Sequence, residues 1–205
     1  MKEEPFNAFL KRCQLWKACE NPNGSYRPVM EYIFFENGYA YASDSHILVK
    51  VPLIHITTLD EESRNLLNGH GIHSPLFKLL TTMGPLRVEK ETITNDKGEE
   101  TEKVHIYAMS GDNEVKVTLT NPEQKKHPNY EPLFQKNGER VPIHKIGVSQ
   151  KRLSDLTAAM GTSDIKMGFI KEDQKIFISP MSLELEGIEG IIMPLMITGT
   201  FEGFE

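Results

Sequence analysis

The chain has 205 residues, 39% hydrophobic and 25% charged, which is enough for a packed core in one large domain or in one domain plus a fragment. A formal net charge of −6 argues against nonspecific nucleic-acid binding by the chain as a whole, while leaving room for a local basic face. The opening residues "MKEEPFNAFLKRCQLW" hold no apolar signal core, and no apolar run approaches the roughly 18 residues of a membrane helix, so a soluble, cytoplasmic protein that avoids membranes is expected.

From the N-terminus, the first predicted element is a helix from Pro5 to Cys19, because Phe6, Phe9, Leu10, Cys13 and Trp16 recur at spacings of three and four. Cys13 and Cys19 point to different sides of such a helix and are expected to stay unpaired, as buried or half-buried thiols. "NPNG" at 21–24 breaks the helix. The next stretch, "PVMEYIFFENGYAYASDSHILVKVPLI", reads as three short strands with a hairpin turn at Asn37-Gly38. Residues 54–71 read as a loop or a short linking helix, with Asp60, Glu61 and Glu62 as a solvated charge run and "NGHG" as a turn.

A second helix is predicted over "HSPLFKLLTTMG", capped by Ser74, with Pro75 at its first helical position and Gly84 as its stop. Three strands follow in "PLRVEKETIT", "KVHIYAMS" and "NEVKVTLT", the last two joined by Gly111-Asp112. The proline-rich run 121–142 is a connector. A third helix, "QKRLSDLTAAM", is capped by Ser149 and ended by Gly161. "DIKMGFI", "KIFISP" and "LELEGIEGIIMPLMI" supply three more strands, and the tail after Ile197 has no clear pattern. A helix followed by about three strands thus occurs three times. That order predicts an α+β fold of repeated helix-plus-antiparallel-strand units with helices on one face of the sheets.

Four stretches carry a resemblance: "RPVMEYIFFENGYAYASDSHIL", "PLFKLLTTMGPLRVE", "HPNYEPLF", and "IGVSQKRLSDLTAAM" through "GIIMPLMI". In order and spacing they resemble the bacterial DNA polymerase III beta subunit, the sliding-clamp family. The matched part corresponds to the second domain of that family and the latter half of the third, with no counterpart of the first. The resemblance implies a DNA-clamp-like fold. It implies a clamp-like domain over 1–134, made of two halves, and a half-domain over 135–205. It leaves open how the odd third half completes its sheet, on its own chain or against a partner copy.

The same resemblance implies a sliding-clamp-like replication or repair accessory. Such a protein tethers partners to double-stranded DNA through nonspecific backbone contacts. It performs no chemistry and acts by holding, as a homo-oligomer, with a cleft for linear motifs of polymerases and repair proteins. An adaptor or decoy that binds such motifs without encircling DNA is the alternative. Cleft residues carried over by motif are Arg27, Met30, Ser43, His46 and Leu48 from the first stretch, Pro128 and Leu133 from the connector, and Ile191, Met193, Pro194 and Leu195 near the C-terminus. Ile47 stands where the family commonly has arginine, which removes a charge at the cleft edge. DNA-facing candidates are Lys11, Arg12 and Lys17 on the first helix, Lys78 on the second, and Lys151 and Arg152 on the third.

No catalytic chemistry is legible. His70 and His73 lie three apart, but Gly69 and Gly71 flank the first of them and no cysteine or carboxylate cluster accompanies the pair. GxSxG, Walker and GxGxxG patterns are missing. A non-enzymatic protein with no metal site and no cofactor is therefore expected.

Overall fold

The computed structural model of the chain describes residues 9–21, 27–84, 86–94, 100–121, 128–135, 146–169 and 175–195. Among these, two antiparallel sheets and a layer of short helices build an α+β architecture. Strands β1 (Tyr32–Glu36), β2 (Tyr39–Ser43) and β3 (Ile47–Pro52) form the predicted meander. Its first turn runs through Asn37 (φ 51°) and Gly38 (φ 79°), as a tight two-residue hairpin with the right-handed strand twist requires.

The segment 54–71 contains both a helix and the start of a strand. Helix α1 (Glu61–Leu67) is capped by Asp60, whose carboxylate accepts from Ser63 N at 2.8 Å. After Gly69, β4 (His70–His73) pairs with the outer side of β1, Ile72 opposite Ile33. The turn expected at "NGHG" is thus only the entry to a strand. Helix α2 (Ser74–Leu80) follows directly, with His73 rather than Ser74 as its cap and an end at Leu80, short of Gly84.

The strands β5 (Leu86–Thr94), β6 (Glu100–Ser110) and β7 (Asn113–Thr118) form a separate three-stranded sheet. Its inner face places Val88, Val104, Ile106, Ala108 and Val117 in the main core, beside Leu67 of α1. Its outer face is polar: Arg87 lies 4.2 Å over Tyr107, Lys116 pairs with Glu91 at 2.8 Å, and Arg87 pairs with Glu89 at 2.7 Å. Past β7 the chain joins the larger sheet at Gly71 and Thr120, which exchange two backbone hydrogen bonds of 2.8 Å.

Helix α3 (Gln150–Met160) starts where Ser149 caps Arg152 N and stops at Gly161, held at φ 71°. A β-carbon at Gly161 would stand 2.8 Å from the Arg12 carbonyl. The last strands are β8 (Ile165–Gly168), β9 (Ile176–Pro180) and β10 (Glu189–Ile192). β10 covers only the middle of the apolar C-terminal stretch, because Leu183–Leu185 is a 3-10 turn and Gly187 takes φ 86°.

The larger sheet has the order β4-β1-β2-β3-β10-β9-β8. The third unit therefore completes its sheet on its own chain, through the pairing of β10 with β3. That pairing joins strands from either side of position 134/135.

The helix expected over Pro5–Cys19 is corrected within its described part. Residues 1–8, and Phe6 with them, lie outside the described residues. Phe9 bridges Thr57, Leu10 N donates to Ile56 O at 2.9 Å, and Gln14 N donates to Ala158 O at 3.0 Å. These amides are bonded to distant segments rather than to carbonyls four residues back, so only the single 3-10 turn Leu15–Lys17 forms. Part of the apolar stripe still packs: Phe9 and Cys13 are buried, as is Leu15 of the 3-10 turn, and Phe9 meets Phe77 at 4.7 Å between ring centroids. Cys13 and Cys19 are separate free thiols, directed to the carbonyls of Met160 and of Leu15 and Tyr32 respectively. Burial pushes Cys13 up to about 12 and Cys19 further, which leaves both as unreactive thiols.

Candidate functional site

The strands of the larger sheet alternate between two faces. Ala40, Ala42, Val49, Val51, Ile176, Ile178 and Ile192 point into the main core beneath α2, α3 and the Leu15–Lys17 turn. Gly190 belongs to this face as well, where a β-carbon would come within 2.9 Å of Met160 Sδ. The intervening residues Tyr41, Leu48, Phe177 and Ile191 point the other way and form a second apolar cluster with Tyr130 and Phe134. Leu48 and Ile191 are directly opposite across the β3–β10 pair.

This second face is covered by residues 128–135, which cross it with the 3-10 turn Glu131–Phe134 at their centre. Tyr130 stacks on Tyr41 at 5.9 Å, and Phe134 meets the same ring at 6.4 Å. Between these anchors, Lys50 projects from β3. Its side chain is 9% exposed, and its ammonium lies 2.9 Å from both carboxylate oxygens of Glu131. The Tyr41 hydroxyl donates to Glu131 Oε2 at 2.8 Å. Aromatic rings surround the ammonium, Tyr39 at 4.3 Å and Phe134 at 5.6 Å. The hydrogen bond from Lys50, then the one from Tyr41, holds the Glu131 carboxyl below the usual carboxylate range. Burial, then the bond to Glu131, pushes the Tyr41 phenol up.

Beside this covering lies a groove of about 260 Å³. The β2–β3 turn shapes one end. Asp44 Oδ1 accepts from His46 N and Ile47 N, each at 2.8 Å, while the Ser43 hydroxyl donates to Ile47 O at 2.9 Å. Ser45 at φ 73° closes the turn. The His46 carbonyl in turn accepts from Met193 N at 2.8 Å, which fixes the chain just past β10 against the turn.

The structure brings most of the cleft residues named from sequence to this groove. Ser43, His46 and Leu48 line it from the turn and β3, Met30 from the 3-10 turn Pro28–Glu31, Pro128 and Leu133 from the covering segment, and Ile191 and Met193 from β10 and its exit. Leu133 is 45% exposed and Met193 43%, so both apolar side chains remain open to an incoming group. The other three, Arg27, Pro194 and Leu195, lie beside the lining residues. Arg27 is exposed and supports the groove through its backbone, its carbonyl accepting from Met30 N at 2.8 Å. Pro194 is half-buried, and Leu195 is drawn aside because its N donates to Gly147 O at 2.8 Å.

Ile47, placed at the cleft edge from sequence, lines the groove; sequence reasoning missed Ser45, Tyr130 and Lys175 as lining, and Lys50 with Glu131 as its support. Ser45, Ile47, Tyr130 and Glu131 sit inside the motifs that carry the resemblance. Lys50 is the lone charge in the apolar run "ILVKV", a signal for a buried charged group. Lys175 has no local signal. It donates to the Leu133 carbonyl and lies 5.3 Å over the Phe177 ring, a cation at the groove's edge.

The six candidate DNA contacts lie on or beside the helix layer, on the opposite face of the sheet. Three face acids: Arg12 is 4.0 Å from Glu184, Lys17 is 3.9 Å from Asp155, and Lys151 is 2.6 Å from the same Asp155. Lys11 and Lys78 are exposed and Arg152 is half-exposed.

Among the described residues there is no group of three or more His, Cys, Asp or Glu arranged to hold a metal, and no helix long and apolar enough to cross a membrane. No protein-family model matches the chain. No curated protein matches it either. Among solved structures, the chain is similar to the crystal structure of the DNA polymerase III subunit beta from Pseudomonas aeruginosa, with 12% sequence identity and a TM-score of 0.47 over 96% of this chain and 69% of that one.

Proposed function

We propose that this chain is a peptide-binding module whose groove takes apolar side chains from a short linear segment of a partner protein. The observation that carries this is the meeting of four segments distant in sequence, around residues 30, 43–48, 128–133 and 191–193, at one small apolar groove. At about 260 Å³ it falls below the roughly 300–1,000 Å³ of small-molecule sites, a size suited to a few side chains. Met30 and Met193 give an adaptable lining. His46 and Lys175 supply polar groups at the edge that orient a backbone or a carboxylate.

The sequence resemblance to sliding clamps supports the same use and names the partner class: linear motifs of polymerases and repair proteins. A short synthetic peptide with a glutamine followed by spaced leucines and a phenylalanine tests it by fluorescence anisotropy. Saturable binding that is lost in Met193→Asp is the expected result. A peptide that ignores the wild-type protein would sink the proposal.

A clamp-like role, holding the partner on DNA, is the second function considered. Lys11, Lys78 and Arg152 favour it, while Glu184 and Asp155 beside the other three cations weaken the field that phosphates would meet. Light scattering separates the two. A monomer or dimer that binds the peptide supports the adaptor. A closed multimer that loads on circular DNA in a salt-dependent manner supports the tether.

A further inference from the structure

Part of the groove's wall comes from the segment that crosses the sheet. Pro128 and Leu133 belong to the segment laid across the sheet, and that segment is held there by two aromatic anchors, by the Glu131 carboxylate, and by the Leu133 carbonyl, which accepts from Lys175. The anchors Tyr130 and Phe134 are both buried against Tyr41. Ring packing of this kind is tolerant in position, since stacked and tilted arrangements are close in energy. The ion pair is not tolerant. Both Glu131 oxygens lie 2.9 Å from Lys50 Nζ, and one also accepts from Tyr41 at 2.8 Å. A shift of one residue in either direction would leave the Lys50 ammonium under aromatic rings with no carboxylate, and an unpaired buried charge is costly.

We propose that Lys50 and Glu131, with Tyr41, are positioning residues. Their ion pair sets the register of residues 128–135 on the sheet and so fixes Pro128 and Leu133 as the groove's outer wall. Lys50 is the buried partner, its side chain 9% exposed, while that of Glu131 is 55% exposed; fixing register is the best-attested use of a buried polar group. Its consequence for ligands rests on the peptide-binding function proposed above.

Two readouts separate seating of the segment from use of the groove. Hydrogen exchange over residues 128–135 reports the first, and anisotropy with the glutamine-leucine-phenylalanine peptide reports the second. Trp16, the sole tryptophan, packs against Phe77 on the opposite face of the sheet, so its fluorescence follows unfolding of the main core independently. Glu131→Gln and Lys50→Met are expected to raise exchange over 128–135 by tenfold or more and to weaken the peptide by a similar factor, with the Trp16 unfolding midpoint nearly unchanged. The reversal Lys50→Glu with Glu131→Lys is expected to recover part of the protection. Tyr41→Phe, which keeps the ring and removes one hydrogen bond, is expected to give a change of a few-fold. Unchanged exchange in Glu131→Gln would overturn the proposal, since the aromatic anchors would then suffice. If the wild-type protein ignores the peptide, the function of the groove falls, while the exchange data still decide the latch.

Discussion

The two faces of the larger sheet are covered in different ways. One face lies under helices and is closed mainly by apolar side chains: Phe77, Leu80, Leu156 and Met160 share one core with alternate residues of β1, β2, β3 and β10. The other face is covered by eight residues, 128–135, seated by two aromatic rings, a lysine–glutamate pair and the bond from Lys175 to the Leu133 carbonyl. Apolar packing of regular elements is dense and leaves few voids. A strap seated at a few points leaves a groove beside it. Packing and opening are thereby divided between the faces: the well-packed one supplies most of the core, and the sparsely covered one carries the groove.

Substitutions on the two faces should differ in kind as well as in size. The largest effect is expected for Phe77→Ala, which empties a fully buried site between Phe9 and Trp16. A loss of about 3–5 kcal/mol is expected, measured by denaturant unfolding followed through Trp16. The neighbours Ile191 and Ile192 make the sharpest internal test, because they differ by one position and face opposite sides. Ile192→Ala is expected to cost about 2–4 kcal/mol. Ile191→Ala borders an existing groove, so a smaller cavity term applies; its main effect should be on the peptide, and equal stability losses for the two would erase the distinction between the faces.

Gly161→Ala comes next. Its φ of 71°, and an Arg12 carbonyl only 2.8 Å from where the added methyl group would stand, leave no room for a side chain. A loss of more than about 1 kcal/mol is expected in the same unfolding assay.

Acid should loosen the strap before the helix-covered face. Glu131 has a folded pKa held below its ordinary 4.5 by Lys50 and Tyr41. A depressed carboxylate contributes stability that is fully present above the ordinary value and is lost as pH falls through the folded one. Exchange over 128–135 is therefore expected to be flat from neutral pH to near 4.5, after correction for intrinsic rates, and to rise below it. A rise already at about pH 6, nearer the ordinary range of histidine, would point to another group. The smallest effect is expected for Lys151→Ala. Its bond to Asp155 is an exposed i,i+4 pair, and such pairs contribute about 0.3–0.5 kcal/mol.

Much of the local structure is legible in the residues. The hairpin at Asn37-Gly38, the caps at Ser149 and Gly161, and the strands of "YIFFE", "YAYAS" and "KIFIS" follow from turn chemistry and alternation over a few residues. The α+β class with antiparallel sheets follows from their order. The first helical stripe misleads because its backbone partners, Ile56 O and Ala158 O, are far along the chain. β4 is hidden because four residues with a glycine among them carry too little alternation to mark a strand, and only pairing with β1 makes it one.

The C-terminal stretch "GIIMPLMI" shows the same division at the site. Its apolar character and its strand propensity are properties of the residues themselves, set by composition and short-range pattern. Which of Ile191 and Ile192 faces the groove depends on pairing with Leu48 and Ile47 of β3. Likewise, local sequence is enough to make Lys50 a charge within an apolar strand and "HPNYEPLF" an irregular connector. That Glu131 of one meets Lys50 of the other, 81 residues away, is settled only in the folded chain. A contact across that distance rests on how the sheet and its covering segment pack together, and no local propensity encodes it.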